Sequence, residues 1–277
     1  MPKTKIEKKE VEIDDEIESQ KKESKKEIEF KKEEKTKKDI KFKFEGDTQL
    51  WKNLIHKVKD LKDEIVLDIS KSGLRTTHTD ETNVAMVDYV IPKSAFDEYE
   101  TSHELKIGID LNKLLLHLRV YGKDLTVDNF GNKLQFKGEK GKTSKMGLLS
   151  VVDTSISIPK VEYAVQLKTT AENILTMTEV GEKFSDYLIF RITDNKFHIL
   201  VEGETDDIRF PICSVSRLKG DKDFETFYSI EYLKQVLKFK GKDNLIIRFG
   251  KDTPINIKFD EKDEKCEYLL APRIESD

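Results

Sequence analysis

Two stretches decide the fold, GKDLTVDNFGNKLQFKG (122–138) and GKDNLIIRFGKDTPINIKF (241–259). In each, Gly-Lys-Asp leads into a segment in which apolar and polar residues alternate, then a turn rich in Gly or Asp, then a second alternating segment. This pattern predicts a β-hairpin. Each stretch follows a predicted amphipathic helix, and the two begin 119 residues apart. The chain is therefore predicted to contain two copies of one β-rich unit in tandem.

Outward from these hairpins, both units have the same order of predicted elements. Few helices and many strands predict an α+β fold, in which each unit carries β-sheets with two helices lining one face. Helix N-caps are predicted at Asp47 or Thr48, at Asp110 and at Ser229. The helices are predicted at 48–61, 111–122, 168–184 and within 226–241; the strands are predicted at 42–46, 64–70, 74–80, 83–91, 104–110, 124–130, 133–138, 162–168, 186–193, 196–203, 208–212, 244–250, 255–261 and 267–272.

The composition sets limits on function. The 277 residues carry 50 Lys+Arg against 54 Asp+Glu, so any nucleic-acid contact must come from a local basic surface. Residues 1–40 are rich in Lys and Glu and predict a disordered charged tail. Cys213 and Cys266 match no paired-ligand spacing, which favours a reduced intracellular protein without a metal site. We expect no membrane span, because no apolar run is long enough to cross a bilayer.

The polar faces of three predicted helices carry basic side chains, whereas the helix at 168–184 has Lys only near its ends. If all four helices lie on one side of the sheets, they present a basic surface that suits phosphate backbones without base readout. Taken alone, each lysine fits an ordinary solvated helix face. The predicted DNA-binding residues are Lys52, Lys57, Lys59, Lys113, Arg119, Lys234, Lys238 and Lys240; acidic residues such as Asp97, Glu98, Glu202, Glu204, Asp206 and Asp207 are expected mostly on the opposite face.

The closing YLLAPRIE (268–275) resembles the C-terminal signature of the proliferating cell nuclear antigen family of DNA sliding clamps, and its LLAPR looks more archaeal than eukaryotic. The resemblance covers residues 42–277. Further segments that match the family in order and spacing are DEIVLDISKSGLR (63–75), TDETNVAMVDYVIP (79–92), AFDEY (95–99), IGIDLNKLL (107–115), IPKVEY (158–163) and FGKDTPINIKF (249–259).

The resemblance implies a DNA clamp fold and a function without catalysis or cofactor. Three subunits, identical or paralogous, would form a ring around double-stranded DNA, acting as a processivity factor for DNA polymerase. Residues 41–150 would be the first clamp domain, 151–165 the connecting loop and 166–277 the second domain. The protein would be cytoplasmic and nucleoid-associated in an archaeon, or nuclear in a eukaryote.

The resemblance also implies a hydrophobic pocket under the connecting loop. DNA polymerase, clamp loader, flap endonuclease and DNA ligase would dock there through a PIP box, a short motif with aromatic anchors. Three of the residues are apolar in a segment that otherwise looks like an exposed loop, although they could equally anchor that loop to the core. The pocket residues are Val84, Ile156, Ile158, Pro159, Pro254, Leu269, Leu270, Ala271 and Pro272.

Ring closure would pair an edge strand of the first unit, near 143–149, with one of the second unit, near 206–210. Open backbone edges are a hazard in β proteins, and closure removes them. Lys142 and Lys145 would then face Asp206 and Asp207. The predicted interface residues are Thr143, Lys145, Leu148, Asp206, Ile208 and Phe210.

Two other classes of protein remain as alternatives. His78 and Asp80 alternate toward one face of a strand, as a catalytic pair would, but no phosphate loop, metal-ligand cluster or nucleophile elbow accompanies them. A β-rich nucleic-acid-binding module that forms no ring would need aromatic stacking residues among the basic ones. Trp51, Phe184 and Tyr232 instead fall within helical patterns and are interpreted as packing residues.

Overall fold

The computed structural model describes residues 41–151, 156–220, 222–238, 244–259 and 264–274. The predicted tail at 1–40, Lys240 and the Gly-Lys-Asp at 241–243 lie outside the described residues. The described helices are α1 (Thr48–Val58), α2 (Leu111–Leu118), α3 (Ala171–Gly181) and α4 (Ile230–Leu237). Single 3-10 turns span Lys93–Ala95 and Glu139–Gly141.

Within the described residues, the strands fall into two runs of nine. The first unit contains β1 (Phe42–Asp47), β2 (Glu64–Ser70), β3 (Gly73–Thr79), β4 (Ala85–Pro92), β5 (Glu98–Thr101), β6 (Leu105–Asp110), β7 (Asp124–Phe130), β8 (Lys133–Gly138) and β9 (Thr143–Gly147). The second unit contains β10 (Val165–Thr170), β11 (Tyr187–Thr193), β12 (Lys196–Glu202), β13 (Asp207–Ser214), β14 (Ser216–Arg217), β15 (Phe224–Ser229), β16 (Asn244–Phe249), β17 (Ile255–Phe259) and β18 (Lys265–Leu270).

The two units have one topology, as predicted. The sheets have the strand orders β5-β1-β7-β8-β9, β14-β10-β16-β17-β18-β4-β3-β2-β6 and β13-β12-β11-β15. Adding nine to each strand number of the first unit reproduces the order of the second. The nine-stranded sheet therefore joins a half-sheet from each unit through antiparallel pairing of β18 with β4.

The helices form where apolar residues recur at helical spacing behind a capping residue. In α1, Leu50, Leu54 and Val58 are buried against the sheets. The Asp47 carboxylate accepts the Gln49 amide at 2.8 Å, and in α2 the Asp110 carboxylate accepts the Lys113 amide at 3.0 Å, so both predicted caps are confirmed. The third cap prediction was wrong in its chemistry, because Ser229 occupies the N-cap position of α4 without a side-chain hydrogen bond.

Turn chemistry fixes the hairpins. Asp194 and Asn195 both have positive φ, 51° and 60°, as a two-residue type I′ turn requires, and they join β11 to β12.

The predicted helix at 168–184 begins only at Ala171, because Lys168 to Thr170 pair with β16. The helix predicted at 111–122 ends at Leu118.

One glycine sets the exit of the chain from the first unit. A Cβ on Gly108 would lie 2.8 Å from the Leu149 carbonyl oxygen, which only glycine avoids. The Leu149 amide donates to the Gly108 carbonyl at 2.9 Å. The segment that leads to the second unit is thereby held against β6 before it leaves the sheets.

Helices of both units contact strands or loops of the other unit near the junction of β18 with β4. The Tyr268 hydroxyl of β18 donates to the Lys57 carbonyl of α1 at 2.6 Å, and the Lys57 ammonium lies 5.3 Å from the centre of the Tyr89 ring of β4. From the other side, Tyr232 of α4 bonds to Asp80 in the β3–β4 loop. Contacts from both α1 and α4 therefore cross the junction between the units.

Candidate functional surfaces

The helix layer carries most of the predicted basic residues. Lys52 and Lys59, at α1, are half-buried, whereas Lys113 of α2, Arg119 after it and Lys238 after α4 are exposed. The Lys113 ammonium also lies 3.0 Å from the Asp110 carboxylate. These five residues stay candidates for contact with a phosphate backbone.

Lys57 was wrongly assigned to the exposed surface. Its side chain is buried, and its ammonium lies 3.2 Å from the Glu264 carboxylate, which is buried as well. The Asn53 amide donates to the same carboxylate at 2.9 Å. A helical pattern places Lys57 on the polar side of α1. Glu264, the residue before strand β18, lies over that side. Lys57 therefore fastens the two units together and cannot face a ligand.

The sequence predicted acidic residues mostly on the face opposite the helices, but that prediction did not place those of α3. Glu172 and Glu179 of α3 and Glu182 at its C-cap are all exposed on the helix layer and not on the opposite side of the sheets. Glu182 pairs with Lys234, and this hydrogen bond lowers the pKa of Glu182. Lys234 is thus partly neutralised within the layer, so it is a weaker candidate for phosphate contact than predicted.

The predicted pocket residues are brought together only in part. Val84, Pro254 and Ala271 lie at three adjacent strand ends, where the Ala271 amide donates to the Val84 carbonyl at 2.8 Å. Leu270 is fully buried in the core and cannot line a surface pocket. Leu269 points to the opposite face of β18 and is 8% exposed.

Ile158 and Pro159 are exposed, and Ile156 is half-buried, in a described segment without helix or strand. Ile158 is 39% exposed, one of few large apolar side chains in the described residues with that much accessible surface. Their position over the three strand ends stays a prediction. Pro272 is half-buried beside Ala271.

The predicted edge strands lie at the ends of their sheets. β9 ends the five-stranded sheet and β13 ends the four-stranded sheet. Thr143, Lys145 and Asp206 are exposed, Leu148 and Ile208 are half-buried, and Phe210 is 40% exposed. The Lys145 ammonium lies 3.2 Å from the centre of the Phe130 ring. Both edges therefore combine free backbone groups with accessible apolar and charged side chains.

His78 and Asp80 have structural roles. The His78 ring is buried and accepts the Val66 amide at 3.0 Å, and burial lowers the pKa of His78. Burial alone would raise the pKa of Asp80, but hydrogen bonds from Thr82, the Ala85 amide and Tyr232 outweigh it and lower the pKa to about 2. Tyr232, interpreted from the sequence as a packing residue, thus anchors α4 to the first unit.

The described ranges contain neither a metal-ligand cluster nor a membrane-spanning helix. No group of three or more His, Cys, Asp or Glu side chains there is arranged to hold a metal ion. No helix there is long and apolar enough to span a membrane.

Comparison with known proteins gives concordant results. A family model described as proliferating cell nuclear antigen, N-terminal domain, matches residues 39–146. A DNA polymerase sliding clamp of Methanosarcina barkeri is 30% identical over 249 residues, covering 85% of this chain and 100% of the relative. One of Thermococcus onnurineus is 27% identical over 234 residues, covering 80% and 94%. The solved structure of A. fulgidus PCNA, to which the C-terminal region of FEN-1 is bound, has a TM-score of 0.75 at 26% identity and covers 85% of this chain and 100% of that one.

Proposed function

Since this chain belongs to the proliferating cell nuclear antigen family of DNA sliding clamps, we propose that three copies of it close head to tail into a ring around double-stranded DNA. The ring holds replication enzymes on DNA and has no catalytic activity of its own. One observation carries the proposal. β9 and β13, the equivalents of β18 and β4, each end a sheet, so the pairing that joins the two units within the chain can form again between chains.

The strand equivalence makes this second pairing specific. β9 has the place in the first unit that β18 has in the second, and β13 has the place of β4. Within the chain, Leu269 lies opposite Met86 and Tyr268 opposite Val87. The pairing of each strand with its inner neighbour identifies the equivalent residues in β9 and β13. By this equivalence, Lys145 would lie opposite Asp207 and Ser144 opposite Ile208. The predicted contact between subunits therefore places a lysine against an aspartate.

Exposure at equivalent positions supports the same contact. Leu61, Tyr89 and Lys57 are 8%, 1% and 8% exposed. Their equivalents in the second unit, Phe184, Phe210 and Val180, are 42%, 40% and 37% exposed. Apolar groups left this accessible gain about 25 cal/mol for each Å² they bury. Leu61, Tyr89 and Lys57 are covered within the chain. A neighbouring subunit that covers Phe184, Phe210 and Val180 in the same way removes this exposed apolar surface.

The charges on the two edge strands favour a ring of identical subunits. The edge of the first unit carries Lys140, Lys142 and Lys145, and the edge of the second carries Glu204, Asp206 and Asp207. Opposite charges on the two ends of one chain steer copies of that chain together. A ring of paralogues is the alternative, and it would require each paralogue to repeat this complementarity.

DNA is proposed to pass along the helix layer. Lys52, Lys59, Lys113, Arg119 and Lys238 supply positive charge there. Four of the five are lysines, which lack the bidentate geometry that reads bases. Such contacts suit sliding, because they are exchanged easily and depend strongly on salt. The ring itself then provides retention.

Partner enzymes are proposed to dock on the outer side, at the strand ends formed by Val84, Pro254 and Ala271. DNA polymerase and flap endonuclease are the first candidates, because the relatives are named for polymerase and one solved neighbour has a FEN-1 segment bound. Clamp loader and DNA ligase are proposed on the family resemblance. Ile158 would form the loop wall of this pocket.

A PIP-box peptide tests the docking site. Ile158→Glu should weaken peptide binding at least tenfold in a fluorescence anisotropy titration, because a buried unpaired charge is costly. Thr176→Glu, on the exposed side of α3, is the control and should bind the peptide as wild type does. Equal affinity of both variants would place the pocket elsewhere.

Light scattering coupled to size-exclusion chromatography tests the ring. The proposal predicts a species with three times the mass of one chain. A monomer at micromolar concentration that also fails to associate with any paralogue would contradict it.

A further inference from the structure

The helix layers of the two units differ in charge although their folds are equivalent. From residue 48 to 59, α1 and its C-cap contain Lys52, Lys57 and Lys59 and no acidic residue. From 171 to 182, α3 and its C-cap contain three glutamates and no Lys or Arg. The difference is therefore a reversal of sign and not a gradual change.

The glutamates of α3 stand where α1 has residues without negative charge, and at one of these positions a lysine is matched by a glutamate. Thr48 and Ala171 each begin the helix that follows the first strand of their unit, so the two helices can be compared residue by residue. Gln49 then corresponds to Glu172, His56 to Glu179 and Lys59 to Glu182. Glu172, Glu179 and Glu182 are exposed, and Glu179 and Glu182 line the groove between α3 and α4.

The neighbouring helix does not compensate for these glutamates. α3 and α4 border a groove of about 650 Å³, lined by Glu179, Glu182, Asp186 and Glu231 but only two lysines, Lys234 and Lys238. Lys234 pairs with Glu182 inside that groove. In the first unit, α2 and the residue after it carry Lys113 and Arg119 and no acidic residue from 111 to 119.

Salt limits the distance over which a charged side chain acts on a phosphate. At physiological salt the Debye length is about 8 Å, so a phosphate near α3 responds mainly to the charged groups nearest to it, which include the glutamates of α3. Resting on the proposed function, we propose that the duplex is held by α1 and α2 of each chain and is kept off α3 and the α3–α4 groove. Basic and acidic sectors then alternate around the ring, and phosphate contacts lie on the first unit. Of the five basic candidates, Lys238 alone is left out, because it lines the α3–α4 groove.

Charge-reversed variants of the full chain test this division. The first variant combines Lys52→Glu with Lys59→Glu, and the second combines Glu172→Lys with Glu179→Lys. The control combines Glu100→Lys with Glu104→Lys, exposed residues on β5 and the turn after it, which change the net charge as the second variant does. A short fluorescent linear duplex is titrated at several salt concentrations, after light scattering and circular dichroism have confirmed assembly and fold.

The proposal predicts opposite effects. The first variant should bind several-fold more weakly than wild type, and its salt slope should become shallower by about 0.9 for each phosphate that it no longer neutralises. The second should bind several-fold more tightly with a steeper slope, because reversal places lysines beside phosphates that wild type repels. The control should match wild type. If the second variant fails to assemble, Glu172→Gln with Glu179→Gln replaces it, with a smaller increase in affinity expected.

The failures are distinguishable. If the first variant weakens binding and the second binds as the control does, the division into sectors is wrong while the helix layer remains the DNA surface. If the second variant binds more weakly than wild type, α3 already contacts DNA and the proposal is overturned. If neither variant differs from the control, the helix layer is not the DNA surface, and the proposed function fails there as well.

Discussion

At the scale of single residues, the junction between the two units depends on buried polar contacts. Lys57 and Glu264 form an ion pair with both side chains under one tenth exposed, and Asn53 adds a hydrogen bond. Such a pair contributes little by itself, since desolvation offsets most of its attraction, but removing one partner leaves the other charge buried. The pair therefore specifies how α1 meets the second unit more than it stabilises the fold.

Glu264→Gln tests this role. The substitution leaves the Lys57 ammonium without its counter-charge, so the free energy of unfolding should fall by about 3 to 5 kcal/mol. Glu98→Gln is the matched control, because Glu98 pairs with Lys43 on the surface, and such pairs contribute at most about 1 kcal/mol. Urea unfolding at one protein concentration measures both. Equal losses of stability in the two variants would show that the Lys57 pair is not buried in solution.

Asp80 gives the junction a dependence on pH. Its pKa is lowered from 3.8 to about 2 in the folded chain, so its stabilising effect is complete above about pH 4 and is lost as pH falls through 2. Asp80→Asn should lower the free energy of unfolding by about 1 to 3 kcal/mol near neutral pH. The difference from wild type should shrink between pH 4 and 2. A difference that stays constant over this range would remove Asp80 from the acid response.

At the scale of elements, alternation and turn residues predicted most strands closely. The hairpin at 124–130 and 133–138 has the predicted bounds, because apolar faces and the Gly131-Asn132 turn act locally. β5 and β14 were missed, since four and two residues are too short to show alternation. The start of α3 was placed too early because pairing of Lys168 with Ile246 is non-local.

The candidate site residues also divide into those whose exposure a local sequence pattern predicts and those whose burial depends on distant parts of the chain. Exposure of Lys113, Arg119 and Ile158 follows from local pattern, and the resemblance located the three adjacent strand ends. Burial of Lys57 and Leu270 does not follow from local pattern, because the segment covering Lys57 lies more than two hundred residues away.

A charge swap tests the proposed strand pairing between subunits. Lys145→Asp and Asp207→Lys should each place like charges opposite one another and weaken ring assembly, by about 0.2 to 1 kcal/mol at each interface. The double variant restores opposite charges and should recover part of the assembly. Dissociation on dilution, followed by light scattering, measures the effect, with Glu100→Lys as a control. If the double variant is no better than the sum of the singles, the register is wrong.

At the scale of the whole molecule, the nine-stranded sheet joins the two units through the pairing of β18 with β4. Glu267 and Asp88 lie opposite each other at the junction, where Arg75 pairs with Asp88 and Lys258 with Glu267, so the like charges are compensated. Alternation shows that a strand has two faces but not which strand lies beside it. The tandem repeat was therefore predictable, whereas the pairing that joins the units was visible only in the structure.

Retention on circular DNA tests the central claim most directly. The wild-type chain is incubated with nicked circular DNA at high concentration, so that rings open and close around it, and free protein is removed by gel filtration in moderate salt. The ring predicts that protein stays with the circle and is released when a restriction enzyme linearises it, because topology and not affinity provides retention. Protein that remains equally bound after linearisation, or that never stays with the circle, would contradict the account.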